Sequence, residues 1–203
     1  TDEAVALIEE AGDRPFFLNF CHYAVHTPIQ APEALVEKYR EKAKAMGIDT
    51  VDPFEEGDFL PCAHKRTERI QRRTLQSDPV YAAMVETMDT SIGRIMDVLE
   101  RTGKADDTIL LFTSDNGGLA TAEGSPTCNA PLSEGKGWMY EGGTREPLLI
   151  RWPGRTVPGQ RCEEPVTSPD FYPTVLEMAG LDLLPEQHVD GESLVPLLSE
   201  PAA

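Results

Sequence analysis

No apolar run in this sequence approaches the roughly 18 residues that a membrane-spanning helix requires, and no signal-peptide pattern opens it. A Cys-x-x-Cys pair is absent as well. The four cysteines, Cys21, Cys62, Cys128 and Cys162, lie far apart, which excludes a zinc ribbon and supplies no disulfide framework. Unpaired thiols are the expectation, and the redox compartment stays open. Positive charge is scarce: 18 Lys and Arg stand against 35 Asp and Glu, a formal net charge of -17. So acidic a surface repels nucleic acid and anionic membranes, and admits an anionic small substrate only where a few cations are placed locally. The 203 residues hold no internal repeat or low-complexity tract and suffice for about one domain with a sizeable core. A content of 40 % hydrophobic and 26 % charged residues is that of an ordinary globular protein. Thr1 rather than Met comes first, so location is not legible at the N-terminus.

What is present alternates between strand-like and helix-like stretches. Thr1 or Asp2 caps a short helix through Glu10 that closes near Gly12. "PFFLNFC" is a compact apolar run of the kind buried in a parallel sheet. "EALVEKYREKAKAMG" is helical, whereas "DTVDPFEEGDFLP" reads as a loop. Asp78 caps a long helix with Pro79 in its first turn and Gly103 at its end. Along it Tyr81, Met84, Val85, Met88, Ile92, Ile95, Met96 and Leu99 recur three or four apart as one apolar face. "TILLFTSDNGG" is the next strand, so strand, helix and strand suggest a βαβ crossover in an α/β protein. "EPLLIRWPG" is a third strand, "SPDFYPTVLEMAG" a helix capped at Ser168, and "GESLVPLLS" a short final helix.

Three places hold candidate chemistry. In open α/β sheets ligands sit beyond the carboxyl ends of strands, where Asp115 and Asn116 stand. A carboxylate and an amide carbonyl are hard oxygen donors suited to calcium or magnesium, and Gly117 and Gly118 let the backbone turn sharply away. Capping of the next turn by Asp115 is an equal alternative on spacing alone. Position 117 is Gly, so a phosphate-transferring D-x-D aspartate is excluded; Ala130 and Gly137 break a P-loop around Lys136. Lys136 lies between Gly135 and Gly137, with little bulk to shield it from a sulfate or phosphate ester. A solvated loop lysine is its bland alternative. Arg145 and Glu146 are expected to anchor that loop by pairing. His22 and His26 follow the first strand's end, where a histidine donates to an anion or protonates a leaving oxygen. Spacing does not choose between these roles and a structural one.

In their order, "PFFLNFCHYAVHTPIQAP", "YAAMVETMDTSIGRIMDVLERTGKADDTILLFTSDNGG", "GKGWMYEGGTREPLLIRWPG" and "SPDFYPTVLEMAG" resemble the formylglycine-dependent type I sulfatases of the alkaline-phosphatase-like superfamily. The match covers most of the chain and is poorest between about Lys42 and Gln76. The resemblance implies an α/β sandwich with a mixed, mainly parallel sheet flanked by helices. It implies that Asp115 and Asn116 are calcium ligands and that Lys136 contacts the sulfate near the leaving oxygen. His26, in its "HTP" context, matches the family's substrate-side histidine, and His22 is left structural. Phosphate-directed relatives commonly place His after this Asp; Asn116 favours a single oxygen-liganded cation.

The family's C-x-P-S-R or S-x-P-S-R nucleophile motif is absent from these 203 residues. The resemblance therefore implies the later part of a catalytic domain, without the nucleophile-bearing segment or the C-terminal subdomain, and no turnover by this chain alone. The implied activity is hydrolysis of a sulfate ester, of a small molecule or a glycan, in a periplasmic or secreted setting. A phosphate or phosphonate ester hydrolase of the same superfamily and a non-catalytic anion-binding module are the competing readings. Oligomeric state is not legible. The basic stretch His64 to Arg73 is expected to be a solvated helix face paired to local acids, with contact to a sulfated polysaccharide as the alternative.

Overall fold

A computed structural model of the protein describes residues 1–60 and 62–199. The chain runs α1 (Asp2–Glu10), α2 (Glu33–Met46), β1 (Phe54–Phe59), β2 (Arg69–Arg73), α3 (Pro79–Arg101), β3 (Leu110–Thr113), α4 (Glu141–Thr144), β4 (Leu148–Arg151), α5 (Phe171–Met178) and α6 (Val195–Ser199). Two compact units result: residues 1–105 with 112–148, and residues 106–111 with those from 149 on.

In the first unit α1 and α2 both pack on α3. Ile8, Val36, Val98 and Leu99, each at most 2 % exposed, form the seam, and each contributes about 1.5–3 kcal/mol of burial. The helix ends follow local chemistry. Asp78 accepts from the amides of Val80 (2.9 Å) and Tyr81 (3.0 Å), two donors the first turn leaves unmet. Gly47 and Gly103 take the left-handed conformation just past α2 and α3. Asp78→Ala is therefore expected to cost about 1 kcal/mol, read as a lower denaturant midpoint with an unchanged slope. The apolar face of α3 is narrower than its letters suggest. Tyr81, Met84, Ile95 and Leu99 are buried, but Val85 and Met96 are exposed, and the buried face is completed by Ala83, Ser91 and Val98.

Strands β3 and β4 pair in a two-stranded sheet, and α5 and α6 belong to the second unit. Thr167 and Asp170 cap each other at the 3₁₀ turn that opens α5. Thr174 is fully buried; its hydroxyl donates to the Asp170 carbonyl (2.6 Å) and accepts from the Leu194 amide (2.8 Å), which fastens the approach to α6 onto α5.

The structure corrects three expectations. "PFFLNFC" forms neither helix nor strand, and Phe17 is 79 % exposed. Apolar content makes a segment eligible for a sheet, but only a hydrogen-bonding neighbour makes it a strand, and none of the described residues provides one. The βαβ unit thus lacks its first strand here. Within the expected loop Phe54–Phe59 form β1, and the Arg69–Arg73 half of the basic stretch is β2 rather than a helix face. The two pair antiparallel with Glu55 opposite Arg72 and Glu56 opposite Gln71, and a bulge follows before Phe59 meets Arg69. Arg69 reaches Glu56 (3.4 Å), Arg72 reaches Glu55 (3.6 Å), and Arg73 stacks over Phe54. The pairing to local acids expected of the basic stretch is thus made, but across a hairpin and not on a helix face.

All four cysteines are free thiols. Among the described residues no helix is long and apolar enough to cross a membrane.

Candidate active site

β3 ends where the site begins. Asp115 is exposed and Asn116 half-buried, and the Asn116 side-chain amide donates to Asp115 Oδ2 (2.5 Å). Ser114 Oγ donates to the Asn116 carbonyl (2.8 Å) and closes the turn. The next two residues have no room for a side chain. A Cβ on Gly117 would strike the carbonyl oxygen of Gly142, and one on Gly118 would lie 2.6 Å from Asn129 Oδ1 and Thr127 Cγ2.

The loop that carries Lys136 is laid against this turn, backbone to backbone. The Lys136 amide donates to the Gly118 carbonyl (3.2 Å), and Asn129 Nδ2 bridges the carbonyls of Gly118 (2.8 Å) and Glu134 (2.9 Å). Gly142 N donates to the Ser133 carbonyl (2.8 Å), and Trp138 Nε1 to Thr121 Oγ1 (3.0 Å). Glu134, 5 % exposed, is held from β2 by Arg72 Nη1 at 2.9 Å. Five glycines (117, 118, 135, 142 and 143) make this approach possible, since a Cβ at each would meet atoms at less than contact distance.

Lys136, half-buried, points its ammonium at His26 Nε2, 3.0 Å away and 110 positions earlier in the chain. The His26 amide donates to the Tyr23 carbonyl (2.9 Å) in a tight turn, and its ring Nδ1 lies 2.9 Å from the Thr27 carbonyl oxygen. A carbonyl only accepts and an ammonium only donates, so Nδ1 carries the ring proton and Nε2 is the acceptor. His22 is apart from this pair. Its ring packs on Phe20 with centroids 4.4 Å apart, Nε2 is buried without a partner, and burial holds its pKa below the ordinary value. Trp138 and Tyr140 stack 6.1 Å apart beside the lysine loop.

One member was misread in the sequence. Arg145 does pair with Glu141 (3.4 Å), but Glu146 is not its partner. Burial pushes the Glu146 carboxyl above its ordinary pKa, a hydrogen bond with Ser114 opposes this, and the nearby charge of Asp115 adds to it. The ionised form is thus disfavoured in the fold: stability is greatest below the unfolded pKa and declines as pH rises toward the folded one. Only its place after the Gly142-Gly143 turn hinted at a site role. Nothing in the letters marked Glu134 as the partner of Arg72, because their contact spans 62 positions.

Asp115 and Asn116 fit a hard cation in kind, offering carboxylate and amide oxygens at a strand end beside a second acid. A complete shell would need further donors, since among the described residues no cluster of three or more His, Cys, Asp or Glu is arranged to hold a metal.

A family model described as Sulfatase matches residues 1–181. A sulfatase of Formosa agariphila is 34 % identical over 212 residues, taking in 98 % of this chain and 33 % of that protein. The crystal structure of Ps i-CgsB in complex with k-i-k-neocarrahexaose superposes with a TM-score of 0.72 at 30 % identity, over 96 % of this chain and 36 % of that one. The phosphonate monoester hydrolase SpPMH from Silicibacter pomeroyi, 22 % identical with a TM-score of 0.61 over 100 % of this chain and 41 % of that one, shares the fold. This is the alkaline-phosphatase-like α/β fold expected from the sequence. The chain spans between a fifth and a third of the length of the curated relatives it matches.

Proposed function

Because the chain belongs to the sulfatase family, we propose that it is the portion of a sulfate ester hydrolase's catalytic domain that holds the substrate-side lysine and histidine and part of the metal site. The observation that carries the reading is the 3.0 Å approach of Lys136 Nζ to His26 Nε2, made by two loops that sequence alone could not bring together. In a chain of net charge -17 the pair is a local cation facing outward, as an anionic ester requires.

The roles follow from donor chemistry. The Lys136 ammonium has three protons; one is engaged by His26, leaving others for the sulfuryl oxygens, whose charge it offsets as the ester bond breaks. His26 holds its Nδ1 proton on the Thr27 carbonyl and orients the ammonium through Nε2. Once Lys136 turns to the sulfuryl oxygens, Nε2 is free to take up a proton from solvent and give it to the leaving oxygen. Asp115 and Asn116 would hold calcium, which when bound supplies positive charge against the sulfuryl oxygens. The nucleophile, a hydrated formylglycine, is assigned to another part of the longer protein, because no cysteine or serine here has the required context. The 203 residues alone are accordingly expected to be inactive. Substrates in keeping with this site are sulfated small molecules or glycans, and the family supports an exported location, periplasmic or secreted.

The test uses the full-length protein with matched aryl sulfate and aryl phosphate esters, with and without a calcium chelator. Preferential sulfate hydrolysis, lowered at least about 100-fold by chelation or by Asp115→Ala, is expected. Preference for the phosphate ester would assign the phosphate-directed reading instead. Sulfate binding without hydrolysis of either ester would leave an anion-binding module.

A further inference from the structure

Three consecutive residues, Glu123, Gly124 and Ser125, take left-handed backbone conformations, with φ of 51°, 88° and 45°. For residues with a Cβ this region is unfavourable and persists only where the surroundings impose it. Here they do. Ser125 is buried; its amide donates to the Ala122 carbonyl (2.8 Å), its hydroxyl to the Gln71 carbonyl (3.3 Å), and its own carbonyl accepts from Arg73 Nε (2.5 Å). Thr127 donates to Gln76 Oε1 (2.9 Å). None of these bonds uses the Glu123 side chain, which is exposed and occupies a backbone position that glycine would fill with less strain.

What the Glu123 carboxylate does is accept from the Thr27 hydroxyl at 3.0 Å, across 96 positions. That bond spends the Thr27 proton, so the same hydroxyl oxygen, 3.3 Å from His26 Nδ1, can only accept from the ring. With the Thr27 carbonyl at 2.9 Å, two acceptors now face Nδ1. Without the carboxylate, the Thr27 hydroxyl is free to turn its proton toward Nδ1 and support the opposite tautomer, the one free histidine favours.

We propose that Glu123 is a positioning residue that acts through Thr27 to hold His26 in its Nδ1–H tautomer, with the Nε2 lone pair presented to Lys136. The proposal rests on the reading of His26 and Lys136 given above and adds what keeps the histidine in the state that reading needs.

The experiment is ¹⁵N NMR of the His26 ring in the 203-residue chain, which reports which nitrogen is protonated and needs no substrate. The wild type is expected to show a pyrrole-like Nδ1 and a pyridine-like Nε2. Glu123→Gly relieves the backbone while removing the carboxylate, so it should stay folded, its amide fingerprint outside residues 23–28 and 121–125 unchanged. Its ratio of Nδ1–H to Nε2–H should nevertheless fall by roughly tenfold, the worth of one hydrogen bond to a charged group. Thr27→Val should shift the ratio in the same direction. Glu123→Gln, whose amide oxygen still accepts from Thr27, should restore most of it. An Nε2–H tautomer in the wild type, or an unchanged ratio in both Glu123→Gly and Thr27→Val, would overturn the proposal. Because turnover is not read, a failure of the sulfate-ester reading and a failure of this one are separable.

Discussion

In the full-length protein, Lys136→Ala is expected to lower kcat/KM for a sulfate ester by about 100- to 1,000-fold, the range seen when one preorganised donor to a developing anion is removed. Two features make Lys136 the position with most to lose. Its ammonium is a concentrated cation in a chain dominated by acids, and its loop is fixed by backbone hydrogen bonds rather than by the side chain itself. The substitution should therefore leave the fold intact and remove only charge. Lys136→Arg is expected to recover little, because a planar fork cannot occupy the place of a compact ammonium 3.0 Å from His26 Nε2. Steady-state kinetics with an aryl sulfate decides the matter. A loss smaller than threefold would remove Lys136 from the reaction.

The second large effect is on stability. Gly142 lies in α4, where helix propensity alone favours alanine over glycine by about 1 kcal/mol. Contact predicts the opposite. A Cβ there would collide with the carbonyl oxygens of Ser133 and Glu134, while the Gly142 amide is already bonded to Ser133. These are main-chain atoms in a layer whose other face is Gly117, so neither side can give way. Gly142→Ala should cost about 3 kcal/mol and release the Lys136 loop from the strand end. Gly137, one residue beyond the lysine, is the control. Space around it is open and only its φ of 89° resists a side chain, so Gly137→Ala should cost about 1 kcal/mol. Thermal or urea denaturation of both variants tests this: equal losses would mean that φ, and not the close approach of the two loops, limits these positions.

Local features were legible in the letters. Asp78, Pro79 and Gly103 bracket α3 because caps and proline act within one turn of the chain. The passage from "LLFT" to "DNGG" marked the end of β3 and a turn too tight for side chains, and the crowding at Gly117 and Gly118 is its cause. Composition likewise settled that cations would be few and would matter where they gathered.

What needed the tertiary structure was every pairing between distant residues. "PFFLNFC" has the composition of a strand, yet strand formation is a property of two segments, and the letters describe one. The acids of β1 were a loop and the arginines of β2 a helix face with unnamed acidic partners until the hairpin set Glu55 against Arg72. On spacing alone Lys136 and His26 were separate candidates with bland alternatives; the family resemblance singled out both, but only the glycine-packed loop brought them to 3.0 Å of each other. Glu123 was silent, because its role lies in a hydrogen bond to a threonine 96 positions away. Caps, turns and periodicity are short-range physics that a sequence displays directly. Partner choice depends on the free energy of the whole packed chain, so the site's composition was written locally and its geometry was not.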